Sequence, residues 1–296
     1  MIALVLHSAL TLALTFTQGP AAAPDTTDAA RPPVATAAAP VTSAPATTAQ
    51  DDDPDLDINR AQPDFTIVSL PTTLRLPARK SAFRITHRFG RPLGAGDFTD
   101  LLEDFFGFDS GATIGFEYRY GLLRATQLAV HRTNNRTIQF MLEREVIGQS
   151  ETRPFGVSVV GSVEGTNNFK DSYSPALGVL LSREFSDRGA VYVEPFWVNN
   201  TNPLPGDVAD DNDSVVLGLG ARLRLTPSLY GVFEIMPRVS GFDRGDRQVA
   251  FGLEKRAGGH SFQINVGNAF GTTFAQMARG GTSDWYIGFN LSRKFY

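Results

Sequence analysis

From Ala82 onward, apolar and polar residues alternate at every second position in segments of strand length. Side chains of an extended strand point to opposite faces in turn, so each segment reads as a strand with one apolar and one polar face. Phe83, Ile85, His87 and Phe89 stand against Arg84, Thr86 and Arg88. Ile114, Phe116, Tyr118 and Tyr120 stand against Thr113, Gly115, Glu117 and Arg119. Leu217, Leu219, Ala221, Leu223 and Leu225 oppose Gly218, Gly220, Arg222 and Arg224, and Leu229, Phe233, Ile235 and Val239 oppose Tyr230, Glu234 and Arg238. Ala125 to Arg132 alternates too weakly for its faces to be assigned. About twelve such segments run to the end of the chain. In the last one Trp285, Ile287, Phe289 and Leu291 share a face that Phe295 continues, while Tyr296 falls out of phase.

The connections alternate in length. Short turns such as Thr226-Pro227-Ser228 and Ala257-Gly258-Gly259 interleave with long stretches such as 90–111, 199–214 and 268–284. Thr133 to Arg136 and Ile147 to Pro154 are exceptions, one on each side. Short turns at one end and long loops at the other characterise outer-membrane barrels, whose tilted strands need about 9–11 residues. A soluble sandwich alternates in the same way, but scatters charge over its exposed face. Here each confidently phased strand centre keeps its charges on one face and leaves the apolar face uncharged, as lipid contact requires, since a misplaced charge costs roughly 2–4 kcal/mol at the midplane. The pattern predicts an all-β, antiparallel up-and-down transmembrane barrel of about twelve strands over 82–296, closed by an aromatic C-terminal strand.

The region before the barrel differs in kind. Residues 1–23 have a short apolar core followed by small residues, which reads as a secretory signal, although no Lys or Arg precedes the core. Residues 24–58 are an Ala/Pro/Thr-rich and then acidic linker, too poor in apolar residues to fold alone. Asp51, Asp52, Asp53, Asp55 and Asp57 read as a solvated acidic run in preference to a Ca²⁺ loop, because Pro54 breaks the ligand spacing and no bidentate Glu follows. Residues 59–81 carry Pro63, Pro71 and Pro77, which argue against a central strand; the segment reads as an extended lead-in, periplasmic or tucked into the barrel mouth. An even strand count returns both ends of the barrel to the periplasmic side.

Composition narrows the chemistry. The 296 residues contain no Cys, which removes disulfides and thiolate metal sites, and the net charge of −4 points away from nucleic acid. No stretch after the leader is apolar for the 18 residues that a membrane helix begins to need. Arg84, Arg88, Glu117, Arg119, Glu143, Glu164, Glu194, Arg222, Arg224, Glu234, Arg238 and Glu254 fall on the polar face and are the expected lumen-lining set, either a selective pore wall or a salt-bridged filling. Asp97 to Phe106 carries Phe98, Leu101, Leu102, Phe105 and Phe106 on one helical face with Asp97 as cap, and is read as a loop packed on the rim. His87, His131 and His260 have neither metal-ligand spacing nor a nucleophile elbow beside them, so no catalytic, cofactor or metal site is expected.

Arg60 to Phe65, Phe83 to Phe89, Val163 to Tyr173, Phe270 to Thr273 and the terminal strand together resemble the bacterial membrane-bound β-barrel domain family of unknown function, over about Asn59 to Tyr296. The resemblance implies an outer-membrane barrel and no particular activity. In such barrels the closing strand, here Trp285, Ile287, Phe289, Leu291, Phe295 and Tyr296, also serves as the insertion signal. The expected partners are outer-membrane lipid, the barrel-insertion machinery and small solutes. The expected role is a narrow channel or receptor-like barrel; a sealed barrel presenting loops such as 199–214 and 268–284 is the alternative, and an enzyme the third.

Overall fold

The computed structural model describes residues 59–104, 107, 111–202, 212–242 and 245–295. The leader, the linker, the aspartate run, Phe105, Phe106 and Tyr296 lie outside the described residues. The strands are β1 (Ser81–Phe89), β2 (Ala112–Leu123), β3 (Thr126–Thr133), β4 (Ile138–Ile147), β5 (Gly156–Gly165), β6 (Asp171–Glu184) and β7 (Gly189–Val198). They continue with β8 (Ser214–Thr226), β9 (Leu229–Met236), β10 (Arg238–Gly241), β11 (Gln248–Ala257), β12 (His260–Gly267) and β13 (Tyr286–Phe295). Among the described residues three short helical segments lie in the connections: α1 (Phe98–Glu103), α2 (Thr166–Phe169, left-handed at Asn167 and Asn168) and α3 (Phe274–Ala278).

Each strand pairs antiparallel with its neighbours, β13 pairs with β1, and β8 pairs with β9, so the sheet closes on itself. β9 and β10 are two halves of one crossing. Pro237 has no N–H to give to the ladder, yet its carbonyl still accepts from Leu217 N–H at 3.0 Å, and β10 continues the pairing with β8. The barrel therefore has twelve crossings, and closure pairs its strands on both edges except at β10, which among the described residues pairs with β8 alone.

Burial along the strands is inverted relative to a soluble protein. Phe116, Leu142, Leu177, Leu223, Leu253 and Ile264 are exposed on the outer face, while Arg84, Glu117, Arg119, Glu143, Arg222, Glu234 and Glu254 are buried inside. Outward charges sit near strand ends, as at Arg132, Arg183, Lys255 and Arg293, away from where the apolar band is deepest. β3 acquires faces that its sequence does not reveal: Gln127, Ala129 and His131 point in and Leu128 points out. Ala129 and Leu128 are both apolar on opposite faces, which is why the alternation was weak.

The interior is filled from both ends. From the short-turn end, residues 60–76 enter the barrel as a hairpin. Ile67 N–H donates to Leu70 O at 2.8 Å and Thr72 N–H to Phe65 O at 2.9 Å, with the turn at Val68-Ser69. From the long-loop end the β12–β13 connection folds inward and buries all of α3. Ile67, Val68 and Leu70 of the hairpin and Phe274, Ala275, Met277 and Ala278 of the loop belong to one apolar cluster with Phe196, Val216 and Val232 of the wall. The reading of 268–284 as an external contact surface is corrected for its α3 part: apolar residues that lack a lipid or a soluble core to pack against find the barrel interior.

Candidate functional site

The site is the seat of the hairpin at mid-barrel. Glu234 on β9 faces the hairpin tip, and its Oε2 accepts from Val68 N–H at 3.0 Å, Ser69 N–H at 2.9 Å and Leu70 N–H at 3.0 Å. Three consecutive amides converging on one carboxylate oxygen form an anion nest, here with the anion supplied by the wall. The tip's carbonyls are met as well. Asn290 Nδ2 donates to Val68 O at 2.8 Å, Gln263 Nε2 to Ile67 O at 2.6 Å and Arg222 Nη2 to Thr66 O at 2.7 Å. A turn with its own unpaired amides and carbonyls would be costly to bury, and these side chains answer that cost.

The apolar side of the tip is fitted to a gap in the wall. Gly218 and Gly220 of β8 point inward, and a Cβ at Gly218 would stand 2.8 Å from Leu70 Cδ2 while one at Gly220 would overlap Ile67 Cδ1. Their lack of side chains is thus the space that Ile67 and Leu70 occupy. Nearer the short-turn end, Ser292 Oγ donates to Asp64 Oδ2 at 2.8 Å, the hydroxyls of Thr73 and Ser182 are 2.5 Å apart, and Leu76 N–H donates to Gln127 Oε1 at 3.1 Å.

Beside the hairpin the wall carries an ion network set by the sheet register. Arg84 lies directly opposite Glu117, and Glu117 opposite His131. Arg119 bridges two carboxylates, from Nη2 to Glu117 Oε1 at 3.0 Å and from Nη1 to Glu143 Oε2 at 3.1 Å, and its guanidinium stacks 5.0 Å over the Phe65 ring of the hairpin. Arg84 Nη2 reaches Glu117 Oε2 at 3.4 Å and Arg84 Nη1 bonds Thr66 Oγ1. Across the barrel Arg222 Nη2 pairs with Glu254 Oε2 at 2.9 Å. At the long-loop side Glu164 Oε2 accepts from Ala275 N–H at 3.0 Å, capping α3, and Phe274 packs on Phe196 with ring centroids 4.8 Å apart. Arg279 follows α3 and donates from Nε to Thr201 O at 2.8 Å; burial lowers its pKa from the ordinary guanidinium value, against the pull of Glu164.

Of the twelve charged residues picked from the polar face, Arg84, Arg88, Glu117, Arg119, Glu143, Glu164, Glu194, Arg222, Glu234 and Glu254 are buried on the inner face. Arg88 bonds Asn290 Oδ1 at 2.8 Å, and the Glu194 carboxylate has no hydrogen-bond partner among the described residues. Arg224 and Arg238 are only half-buried and work at the ends: Arg224 pairs with Asp187 at 2.6 Å at a short turn, and Arg238 donates to the carbonyls of Ala278 and Arg279 beneath α3. On the closing strand, Ile287, Phe289 and Leu291 alternate with the inward Gly288, Asn290 and Ser292; Trp285 is exposed just before it and Phe295 is exposed at its end. α1 is capped by Asp97, which accepts from Thr99 and Asp100 N–H, and leaves Phe98 and Leu102 exposed. His87 stacks on Phe289 at 4.8 Å, while His131 is buried between Glu117 and Thr272.

The residues that the polar-face reading did not single out are those of the hairpin and α3. Their signal is an apolar content (Phe65, Ile67, Val68, Leu70, Leu74 and Leu76) that is high for a solvated lead-in, and the apolar run Phe274-Ala275-Gln276-Met277-Ala278 inside a loop.

Among solved structures, the chain is similar to the NanC porin, with 10% identity, 73% of this chain and 100% of that chain covered, and a TM-score of 0.49. It is similar to the KdgM porin, described in complex with disordered oligogalacturonate, with 8% identity, 73% and 99% coverage and a TM-score of 0.46. For the Acinetobacter baumannii outer membrane protein Omp33 the values are 11%, 73%, 98% and 0.43. No curated protein matches the sequence. The model of the family described as membrane bound beta barrel domain (DUF5777) matches residues 64–295, from Asp64 in the hairpin to Phe295 at the end of β13, and the chain belongs to that family.

Proposed function

We propose that the protein is an outer-membrane barrel whose solute path is closed at rest by the hairpin 60–76, and that it conducts when the hairpin leaves its seat. The observation that carries this reading is the triple amide contact of Val68, Ser69 and Leu70 with Glu234. The tip is held by wall side chains, Glu234 together with Asn290, Gln263 and Arg222, and not by a continuous β-ladder, so the hairpin can leave without breaking the barrel. The outer-membrane location is supported by the lipid-compatible outer face and by an even number of crossings, with Ser81 and Phe295 paired at the short-turn end. A path cleared of hairpin would be lined by charges of both signs, which favours small polar solutes over apolar ones.

A permanently sealed barrel that presents its long loops is the second reading, favoured by the apolar contact of Phe274 with Phe196 that fills the opposite end. Planar-bilayer recording of the full chain separates them. The gated reading expects a closed wild type with rare discrete openings that become frequent when the hairpin seat is weakened. A barrel that stays closed whatever is done to the seat is the sealed one.

A further inference from the structure

At the short-turn end a cavity of about 1030 Å³ opens between the base of the hairpin and the barrel wall. Its charged lining is unbalanced. Arg75, Lys80, Arg124 and Lys294 face Glu145 and Glu184, and both carboxylates are already engaged. Glu145 is paired with Arg75 at 2.7 Å, and Glu184 Oε1 accepts from Asn59 and Gln62. That leaves Lys80, Arg124 and Lys294 without an ion-pair partner among the described residues.

Lys294 is the residue that decides the matter. It is only 8% exposed, its inward position is fixed by the pairing of β13 with β1, and no hydrogen bond or ion pair to its ammonium is made by the described residues. That ammonium lies over the face of Phe65, 5.3 Å from the ring centroid. Asp64 and Glu254 act on that ammonium only from a distance, and a buried ammonium with no counter-charge in contact is costly unless something charged or strongly polar meets it. Beside it the cavity offers neutral hydrogen-bonding groups, from Gln62, Thr73 and Ser182.

We propose that this cavity is a binding site for a small anion, a carboxylate or phosphate, with Lys294 as its innermost contact and Lys80 and Arg124 at its rim. The site is formed with the hairpin seated, so it is present whether or not the barrel ever conducts. The anion has two possible sources, a free solute and the chain's own Asp51, Asp52, Asp53, Asp55 and Asp57, which precede Asn59 in sequence.

The test is calorimetric titration of the full chain in detergent with inorganic phosphate and, separately, succinate, at ionic strength held constant with chloride. A hydrogen bond to a charged group is worth about 1.5–3 kcal/mol, so Lys294→Gln is expected to weaken binding roughly ten- to a hundred-fold, and Lys294→Arg to restore most of it. Because a β13 variant can fail to fold, amine labelling of the wild type read by mass spectrometry supplies a second measurement: either anion should protect Lys294 and leave Lys170, at the other end of the barrel, unaffected. Replacing the five aspartates with Asn tells the sources apart, since tighter binding marks them as the competing anion and unchanged binding assigns the site to free solute. Absence of binding by both anions above the chloride background, equal binding by Lys294→Gln, or labelling of Lys294 that neither anion reduces would overturn the proposal.

Discussion

The seat of the hairpin can be weakened at one oxygen. In Glu234→Gln the side chain keeps its shape and one acceptor, but the three amide bonds from Val68, Ser69 and Leu70 lose the carboxylate charge. Charge-assisted bonds are worth about 1.5–3 kcal/mol and neutral ones about 0.5–1.5, so the loss is about 1 kcal/mol per bond, or about 3 kcal/mol for the seat. At 1.4 kcal/mol per decade this raises the unseated fraction roughly a hundred-fold. The hairpin still keeps its bonds to Asn290, Gln263 and Arg222, so the variant should fold and remain mostly closed. Single-channel recording in a planar bilayer reads the change directly as open probability at fixed voltage. An open probability unchanged from wild type, with a folded barrel shown by heat-modifiable migration, would refute the argument. So would a wild type that is already open, because the hairpin then does not close the path.

A tether should reverse that effect. The chain has no native Cys, and the Thr73 and Ser182 hydroxyls are 2.5 Å apart, so Thr73→Cys with Ser182→Cys in the Glu234→Gln background should close the channel when oxidised and release it on reduction. Gly220→Leu places a side chain where Ile67 now sits and should raise open probability while leaving barrel stability little changed, measured by recording and urea unfolding in parallel. Arg119→Met leaves Glu143 without a cation and Glu117 with Arg84 alone, and a loss of about 3–5 kcal/mol is expected in urea unfolding, as for breaking a buried ion pair from one side. Leu253→Arg puts a charge on the exposed outer face of β11 and should cost roughly 2–4 kcal/mol in a lipid bilayer, with a much smaller effect in detergent.

The barrel itself was legible in the sequence because its cause is local. A strand's faces alternate at every residue, lipid tolerates no charge near the midplane, and closure needs turns at one end and allows loops at the other. Those rules place Arg84 against Phe83, Glu234 against Phe233 and Asn290 against Phe289 without any knowledge of partners. They failed where both faces of a strand are apolar, as at Leu128 and Ala129, and they did not show that Pro237 divides one crossing into β9 and β10. What fills the barrel was decided only by the tertiary structure. Residues 60–76 have no strand period of their own, since Pro63 and Pro71 interrupt it, and their partners lie more than a hundred residues away, Glu234 for the amides and Gln263 and Asn290 for the carbonyls. The same holds for Gly218 and Gly220, which in sequence are merely small residues on a polar face and in the folded barrel are the space for Ile67 and Leu70. Face periodicity fixes which side of the wall a residue takes, whereas the contents of the interior depend on which distant segment fits the gap, and that is a property of the closed barrel and of no single stretch of chain.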